Sequence, residues 1–583
     1  MRKSLGPEMT RRQLLRYAKR IGLLSTASAT LPLLTAPSQA TERGLLPIGM
    51  NLSGISDFGP GFPFLNLMWG ARPWLTRSAR GEGPWSTGLT QHLEMDENGY
   101  PLEVPFRAPG VAQAQTVFTI VPNTLKRGRY VLLYDGEGKI STNSVTRILD
   151  SRPGRIEIFM AHRSDDDVVE VLEIRESQRG NHIRNMRLLA IEHEHADLTQ
   201  NPFRQETLDY CKQWHCLRFM DWLGTNGSLN QSWEKRQRPD FYTQVGRSGD
   251  LIGIHNDAMP EWEARWSSGV AIELCIQLAN AVKRDAWFCV PHLADDTYIK
   301  KMAELVRDRL DPSLKVYVEF SNEIWNWQFV QSHWMLRSAL AGKLVTEQGG
   351  PPPWEGGVTP QRFRNGIAID VGGDLHPERT GALFRRCFRI WESVFKGENR
   401  KRLVRVCAVQ NGWHDTARRT LDWVMKNGGC DALSPGGYFG PDEEIYRDWE
   451  ARGASLTAEK VLSDMQRSIA VNAEQLKVYA DTAKQAGVEL VIYEGGQHIQ
   501  PLHQQETPYN AALADAQKQP EMYQRYIEHL KHYANSGCTM FCAYSSVSKQ
   551  GSRYGSWGHL ERYDQPPSEM PKQRALLDAN KKL

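Results

Sequence analysis

The sequence predicts an α/β fold, a (β/α)8 TIM barrel whose first strand is followed by an inserted β-sandwich. Three observations predict it. From about residue 195 onward, short apolar runs alternate with amphipathic stretches, the rhythm of parallel strands joined by crossover helices. Eight such runs, counted from Ile48–Leu52, suit a closed barrel. Between about residues 80 and 190 the rhythm stops, and β-branched runs separated by turn residues take over.

In chain order, residues 1–40 read as an export signal. They hold Arg2, Lys3, Arg11, Arg12, Arg16, Lys19 and Arg20 against Glu8, a net +6 in a chain of net +3, so the remainder carries −3. A mild apolar run follows from Ile21, ending in the small-residue site Ser38-Gln39-Ala40. Thr10-Arg11-Arg12-Gln13-Leu14-Leu15-Arg16 resembles a twin-arginine signal, which engages a machinery that exports folded proteins. The expected location is periplasmic or secreted. The other reading of this stretch is a basic amphipathic helix at a cytosolic N-terminus. A remainder without basic excess offers no footprint for nucleic acid. Apart from the weakly apolar run near the N-terminus, no stretch approaches the ~20 apolar residues of a membrane span, and no Cys stands at the cleavage site to suggest a lipid anchor.

Residues 41–78 form the segment of barrel strand 1, with LPIGMNL at 46–52 as the strand. Residues 79–190 form the expected sandwich, with strands at Phe118–Val121, Tyr130–Tyr134, Arg155–Met160 and Val168–Ile174 and a turn at Asp135-Gly136-Glu137-Gly138. Residues 191–583 supply the rest of the barrel. Its further strands are expected at Cys216–Asp221, Ala286–Val290, Lys315–Phe320, Arg402–Val409, Asp431–Tyr438, Val488–Tyr493 and Thr539–Tyr544. Helices are expected at Thr207–Gln213, Gly269–Ala281, Asp296–Arg309, Gly381–Phe395, Ala417–Met425, Ala458–Ala486 and Glu521–Ser536. An open doubly wound sheet is the alternative, but no glycine-rich phosphate turn joins a strand to a helix.

Two strand ends carry the chemistry. Val316-Tyr317-Val318-Glu319-Phe320-Ser321-Asn322-Glu323-Ile324-Trp325-Asn326 runs from apolar to polar at the end of strand 4. Leu490-Val491-Ile492-Tyr493-Glu494-Gly495-Gly496-Gln497-His498 does so at the end of strand 7. In a barrel the carboxyl ends of the strands face the active site. Breaking a glycosidic bond needs one protonated and one ionised carboxyl, and two glutamates placed this way supply such a pair.

Asn-Glu ending strand 4, with Glu ending strand 7, resembles the retaining glycoside hydrolases of the (β/α)8 cellulase and β-glycosidase superfamily. The resemblance covers about residues 45–75 and 195–565. It implies Glu323 as acid/base and Glu494 as nucleophile in a double displacement on a β-linked polysaccharide. It further implies that Asn322 binds the hydroxyl beside the reacting carbon, that Arg218 and Tyr438 flank the nucleophile, and that Trp557 is a sugar platform. Arg218 is then expected to hold Glu494 at a low pKa, and Glu494 to hold the proton on Glu323. The Glu-Gly-Gly-Gln-His run and the inserted sandwich depart from the common cellulase pattern.

His292 ends strand 3 and Trp325 follows Glu323, so both are further candidates for the substrate site. Arg218 suits a buried ion pair equally well, His292 a structural histidine, and Trp325 and Trp327 the core. His255, Asn256 and Asp257 after strand 2, and Trp413 and His414 after strand 5, fall in mouth loops; His498 lies near Glu494 in sequence, its direction open. Glu319 is expected deeper in the barrel, in a structural role.

No cofactor or metal is expected. Glu192-His193-Glu194-His195 is dense in ligand types but lacks a third partner for a site. The nine cysteines show no metal spacing; most are expected as small core residues, with one disulfide left open. There is no His-Glu-x-x-His helix and no Gly-x-Ser-x-Gly turn. Two other functions use the same fold: a carbohydrate-binding protein without turnover, and a transglycosylase acting on an exopolysaccharide or envelope glycan.

Overall fold

The computed structural model describes residues 44–122, 127–143, 146–161, 169–245, 269–326, 328–350, 361–363, 367–369 and 376–581. The expected export segment, Trp327 and the loop with His255, Asn256 and Asp257 lie outside the described residues.

Eight parallel strands close a barrel: β1 (Ile48–Asn51), β2 (Cys216–Arg218), β3 (Asp285–Val290), β4 (Val316–Phe320), β5 (Leu403–Val409), β6 (Ala432–Pro435), β7 (Glu489–Gln497) and β8 (Met540–Ala543). Each pairs with the next, and β8 returns to β1 with Gly49 opposite Cys542. Alternation along the strands sorts the residues. Cys216, Trp287, Tyr317, Val406, Val491 and Cys542 share one cluster, which is the barrel interior. Their neighbours Leu217, Phe288, Val318, Cys407, Leu433 and Ile492 join the larger core beneath the helices.

The helices form for local reasons. In Asp296–Arg309, Asp295 caps the start by accepting from the Tyr298 N–H at 2.6 Å. Ile299, Met302, Ala303 and Val306 repeat at helical spacing and are buried. Arg307 and Arg309 stand in the last turn, where the helix dipole favours cations. The long helix Ala458–Ala486 ends at Gly487 in the left-handed region, φ 68°.

Between β1 and β2 lie two four-stranded antiparallel sheets. One orders Leu75–Ser78, Gln115–Val121, Glu170–Ser177 and Gly138–Thr142. The other orders Thr146–Arg152, Arg155–Met160, Gly128–Asp135 and Arg184–Ala190. Val117, Leu172 and Ile174 from the first, and Leu132, Ile156, Ile158 and Leu188 from the second, enter the same apolar core. The first of these strands begins before residue 79, and four of the eight were not expected from sequence. Gly138–Thr142 and Thr146–Arg152 are short of buried apolar residues, so period-two patterning is faint there.

Glu192-His193-Glu194-His195 opens in a 3-10 turn, Ile191–His193, and Glu194 is gripped through both oxygens by Arg155 at 2.7 and 3.0 Å. Among the described residues no group of three metal-ligating side chains gathers. All nine cysteines are buried and free. No described helix is long and apolar enough to cross a membrane.

Candidate active site

Arg218, the last residue of β2, is the hub. Its side chain is fully buried, and all five of its N–H bonds have acceptors. Nε donates to Glu319 at 3.1 Å, and Nη2 reaches the same carboxylate at 2.9 Å. Nη1 donates to Asn51 at 2.8 Å and to Glu494 at 3.1 Å. Nη2 also donates to Asn322 at 2.8 Å. The guanidinium lies over two aromatic rings, 5.6 Å from the centre of Trp287 and 5.2 Å from that of Tyr493. Glu319 is fully buried and also accepts from Trp287 Nε1 at 2.9 Å, so it is the structural counter-ion.

Glu323 reaches this assembly through a bent backbone. Ser321 and Glu323, on either side of Asn322, both have positive φ, 64° and 42°, a region that non-glycine residues rarely enter. Regular strand alternation would send Asn322 and Glu323 to opposite faces. Here Asn322 meets Arg218, while Glu323 accepts from the Tyr493 hydroxyl and from Asn326 Nδ2, each at 2.6 Å.

Glu494 and Tyr493 are consecutive, yet both enter the site. A bulge explains it: between Ile492 and Gly495 the β7–β8 register shifts, with Ile492 opposite Phe541 and Gly495 opposite Ala543. The two glycines that follow are required by close approach. A Cβ at 495 would stand 2.4 Å from the Gly437 carbonyl oxygen, and one at 496 would meet Tyr526 at 2.8 Å with φ already at 133°.

Burial pushes the Glu494 carboxyl up to about 8, and the facing Glu323 charge adds to the rise; Arg218 and the Tyr438 hydroxyl oppose it. Burial also raises Glu323, against the hydrogen bonds from Tyr493 and Asn326. Asp221, just beyond β2, is pushed up to about 6 by burial, against Arg218 and Tyr544. The expectation of a low pKa for Glu494 is therefore corrected. Arg218 spends the Nε–Nη2 edge of its fork on Glu319, and its single bond to Glu494 does not offset burial plus a second carboxylate. The pair titrates as a unit, holding a proton well above the ordinary glutamate range.

Tyr438 and Trp557 come together, ring centres 5.9 Å apart, with His498 and Tyr544 completing an aromatic cluster. Trp557 is oriented by its Nε1–H, which donates to the Tyr554 carbonyl at 2.7 Å. Trp325 is half-buried against the barrel interior. His292 is fully buried, edge-on to Trp334 at 5.3 Å, rather than open at the mouth. Trp413 is exposed after β5, and His414 bonds to Thr482 at 2.9 Å on the long helix.

Sequence reasoning missed Asn51, Tyr493, Asn326, Asp221, Asn226 and Tyr544. Tyr493 had a readable signal, since it shares the inward parity of Val491 on its strand. Asn226 had none, because only the folded loop brings it to Asn322 at 3.1 Å.

The sequence matches no protein-family model and no curated protein. Solved structures similar to the chain include a GH51 arabinofuranosidase from Xanthomonas axonopodis pv. citri, at 14% identity over 67% of this chain and 69% of that one, TM-score 0.38. Others are a GH5-4 broad-specificity endoglucanase from Clostridium acetobutylicum (12% identity, 66% and 93% covered, TM-score 0.31) and a Bacteroides ovatus GH5 xyloglucanase (11%, 80% and 95%, TM-score 0.29). The site's own geometry, and not these likenesses, supports the reading that follows.

Proposed function

We propose that the chain is an exported retaining glycoside hydrolase that cleaves a β-linked polysaccharide or oligosaccharide. One observation carries this reading. Glu323 and Glu494, from the ends of β4 and β7, are tied into one network through Tyr493 and Arg218 and together hold a proton near neutral pH. One protonated and one ionised carboxyl is what glycosidic cleavage requires.

In the first step the Glu494 carboxylate attacks the anomeric carbon. The bond from that carbon to the leaving oxygen breaks, and Glu323 gives its proton to that oxygen. With Glu494 esterified its charge is gone, and Glu323 is left as a carboxylate. In the second step Glu323 takes a proton from water, the water oxygen joins the anomeric carbon, and Glu494 is released. Asn322, held by Arg218, is placed to bond the neighbouring hydroxyl, and the Tyr438–Trp557 cluster offers an apolar ring face to the sugar.

Reducing-sugar release across β-glucans, xylans, mannans and bacterial exopolysaccharides tests the reading. Glu323→Gln should lose on the order of 10²–10⁴-fold on unactivated glycans. It should lose far less in the first step on aryl glycosides, whose leaving group needs no proton. Equal loss on both substrate types would remove Glu323 from the acid role, and binding without release by wild type would support a carbohydrate-binding protein. Products longer than the substrate would redirect the reading to transglycosylation.

Export is the second part of the proposal, supported by Thr10-Arg11-Arg12-Gln13-Leu14-Leu15-Arg16 and Ser38-Gln39-Ala40. Replacing Arg11 and Arg12 together by Lys should leave the uncleaved chain in the cytoplasm, read by fractionation. Normal export of that double variant would reject the twin-arginine route.

A further inference from the structure

Asn226, on the loop after β2, and Gln331, in the helix Val330–Arg337, form a closed polar circuit around Asn322. Gln331 is fully buried. Its Oε1 accepts from the Gly227 N–H at 3.1 Å, and its Nε2 donates to Asn226 Oδ1 at 2.7 Å and to the Asn322 carbonyl at 2.9 Å. Asn322 Nδ2 donates to the same Asn226 oxygen at 3.1 Å.

Donor and acceptor identities settle every amide orientation in this circuit. A backbone N–H can only donate, so the Gln331 atom facing Gly227 is oxygen and its other atom is nitrogen. That nitrogen requires an oxygen on Asn226. From the other end, Arg218 can only donate, so the Asn322 atom facing it is oxygen, and Asn322 must turn its nitrogen to Asn226. The two chains of necessity meet at one atom, Asn226 Oδ1. Of the two hydrogens on Asn322 Nδ2, this uses one.

We infer that Gln331 and Asn226 are positioning residues, which lock the Asn322 amide so that its second Nδ2 hydrogen is presented to a substrate hydroxyl during glycosidic cleavage. The inference rests on the hydrolase reading above. A hydroxyl beside the reacting carbon gains hydrogen-bond strength in the transition state, so a locked donor acts on kcat more than on KM.

Gln331→Glu tests it. A carboxylate at 331 cannot donate to Asn226 or to the Asn322 carbonyl, and where burial protonates it, its one O–H serves only one of the two. If Asn226 turns its nitrogen toward the new acceptor, it sets a donor against Asn322 Nδ2, and Arg218 prevents Asn322 from turning in response. Gln331→Met removes the donors without adding an acceptor and should do less harm. The probe is whichever p-nitrophenyl oligosaccharide β-glycoside wild type cleaves, beside its counterpart with hydrogen in place of the 2-hydroxyl. The expected result is a loss of about tenfold to a hundredfold in kcat on the hydroxylated substrate, little change in KM, and little further loss on the deoxy substrate. Equal loss on both substrates, or none on either, overturns the inference. A crystal structure of the Gln331→Glu protein reads the circuit without turnover. A broken Asn322–Asn226 bond is expected, and an undisturbed Asn322 making both contacts would refute it. If wild type cleaves no glycoside the hydrolase reading falls by itself, and the crystal structure still decides whether the circuit positions Asn322.

Discussion

Glu494→Gln should lower glycan turnover by on the order of 10⁴-fold or more, because an amide cannot serve as the nucleophile and the remaining groups act as a unit with it. The same substitution should make the protein more stable. Glu494 is raised in the folded chain from 4.5 to about 8. A carboxyl raised on folding contributes fully below its unfolded pKa, and that contribution is lost as pH climbs through the folded value. The folded wild-type pair therefore holds one proton that the unfolded chain releases, across the window from about 4.5 to about 8, and in the reactive form that proton sits on Glu323. Glutamine keeps the acceptor for Arg218 and does not ionise. Thermal midpoints of variant and wild type should lie close together near the acid end of the window and separate toward about pH 8, with the variant higher. A variant that is less stable at the alkaline end, or one that still cleaves glycans, would contradict the assignment.

Arg218→Met is expected to cost about 3–5 kcal/mol of stability, the range for removing one partner of a buried ion pair. Glu319 would be left fully buried, with Trp287 Nε1 and the Cys289 thiol still donating to it. Lysine is no substitute, since a point charge with three donors cannot serve Glu319, Asn51, Glu494 and Asn322 together. Urea denaturation of Arg218→Met, Glu319→Gln and the double variant separates the contributions. The double variant should recover part of the loss, because a neutral amide leaves no unpaired buried charge. Failure to recover any of it would mean that Arg218 stabilises through its other contacts.

Much of the barrel was readable because its strands are apolar runs set between amphipathic helices. Val316–Phe320 and Leu403–Val409 differ from their expected bounds by one residue, and the helices Asp296–Arg309 and Ala458–Ala486 not at all. β2 was harder: Cys216–Arg218 is three residues long, and beyond it Phe219 keeps one backbone bond to Trp287, at 3.0 Å, before the chain turns away. The helices Val330–Arg337 and Ala339–Glu347 went unread, as did Glu443–Arg452 and Pro571–Ala579. The first three are short and decorate the barrel outside its strand–helix units, so the repeat gave no reason to seek them; Pro571–Ala579 is the helix after β8, and it went unread because a long stretch separates it from its strand. At the site, the two glutamates were legible because each ends an apolar strand. Their electrostatics were not, because the charge state of Arg218's surroundings depends on Glu319, whose inward direction follows from parity but whose grip on the arginine does not. The kink at Ser321 and Glu323 and the bulge before Gly495 are backbone events without a residue-type signature, glycine excepted.

The position of the two sheets between β1 and β2 has a consequence for how the chain comes into being. β1 is among the first barrel elements to leave the ribosome, and its seam with β8 is the last to become possible; Ser53 and Ser546, bonded at 2.9 Å beside that seam, are 493 residues apart. At roughly 5–20 residues per second, synthesis leaves that first strand edge waiting for about half a minute or more. Contacts of such sequence separation also form slowly once both partners exist. During that interval β1 offers unpaired backbone on the side that β8 will cover, a template for wrong pairing. The antiparallel sheets, whose strands all lie between residues 75 and 190, can complete their own ladders long before β8 is made. An export route that accepts only finished proteins, as proposed above, would give the ring time to close before the chain leaves the cell's chaperones behind.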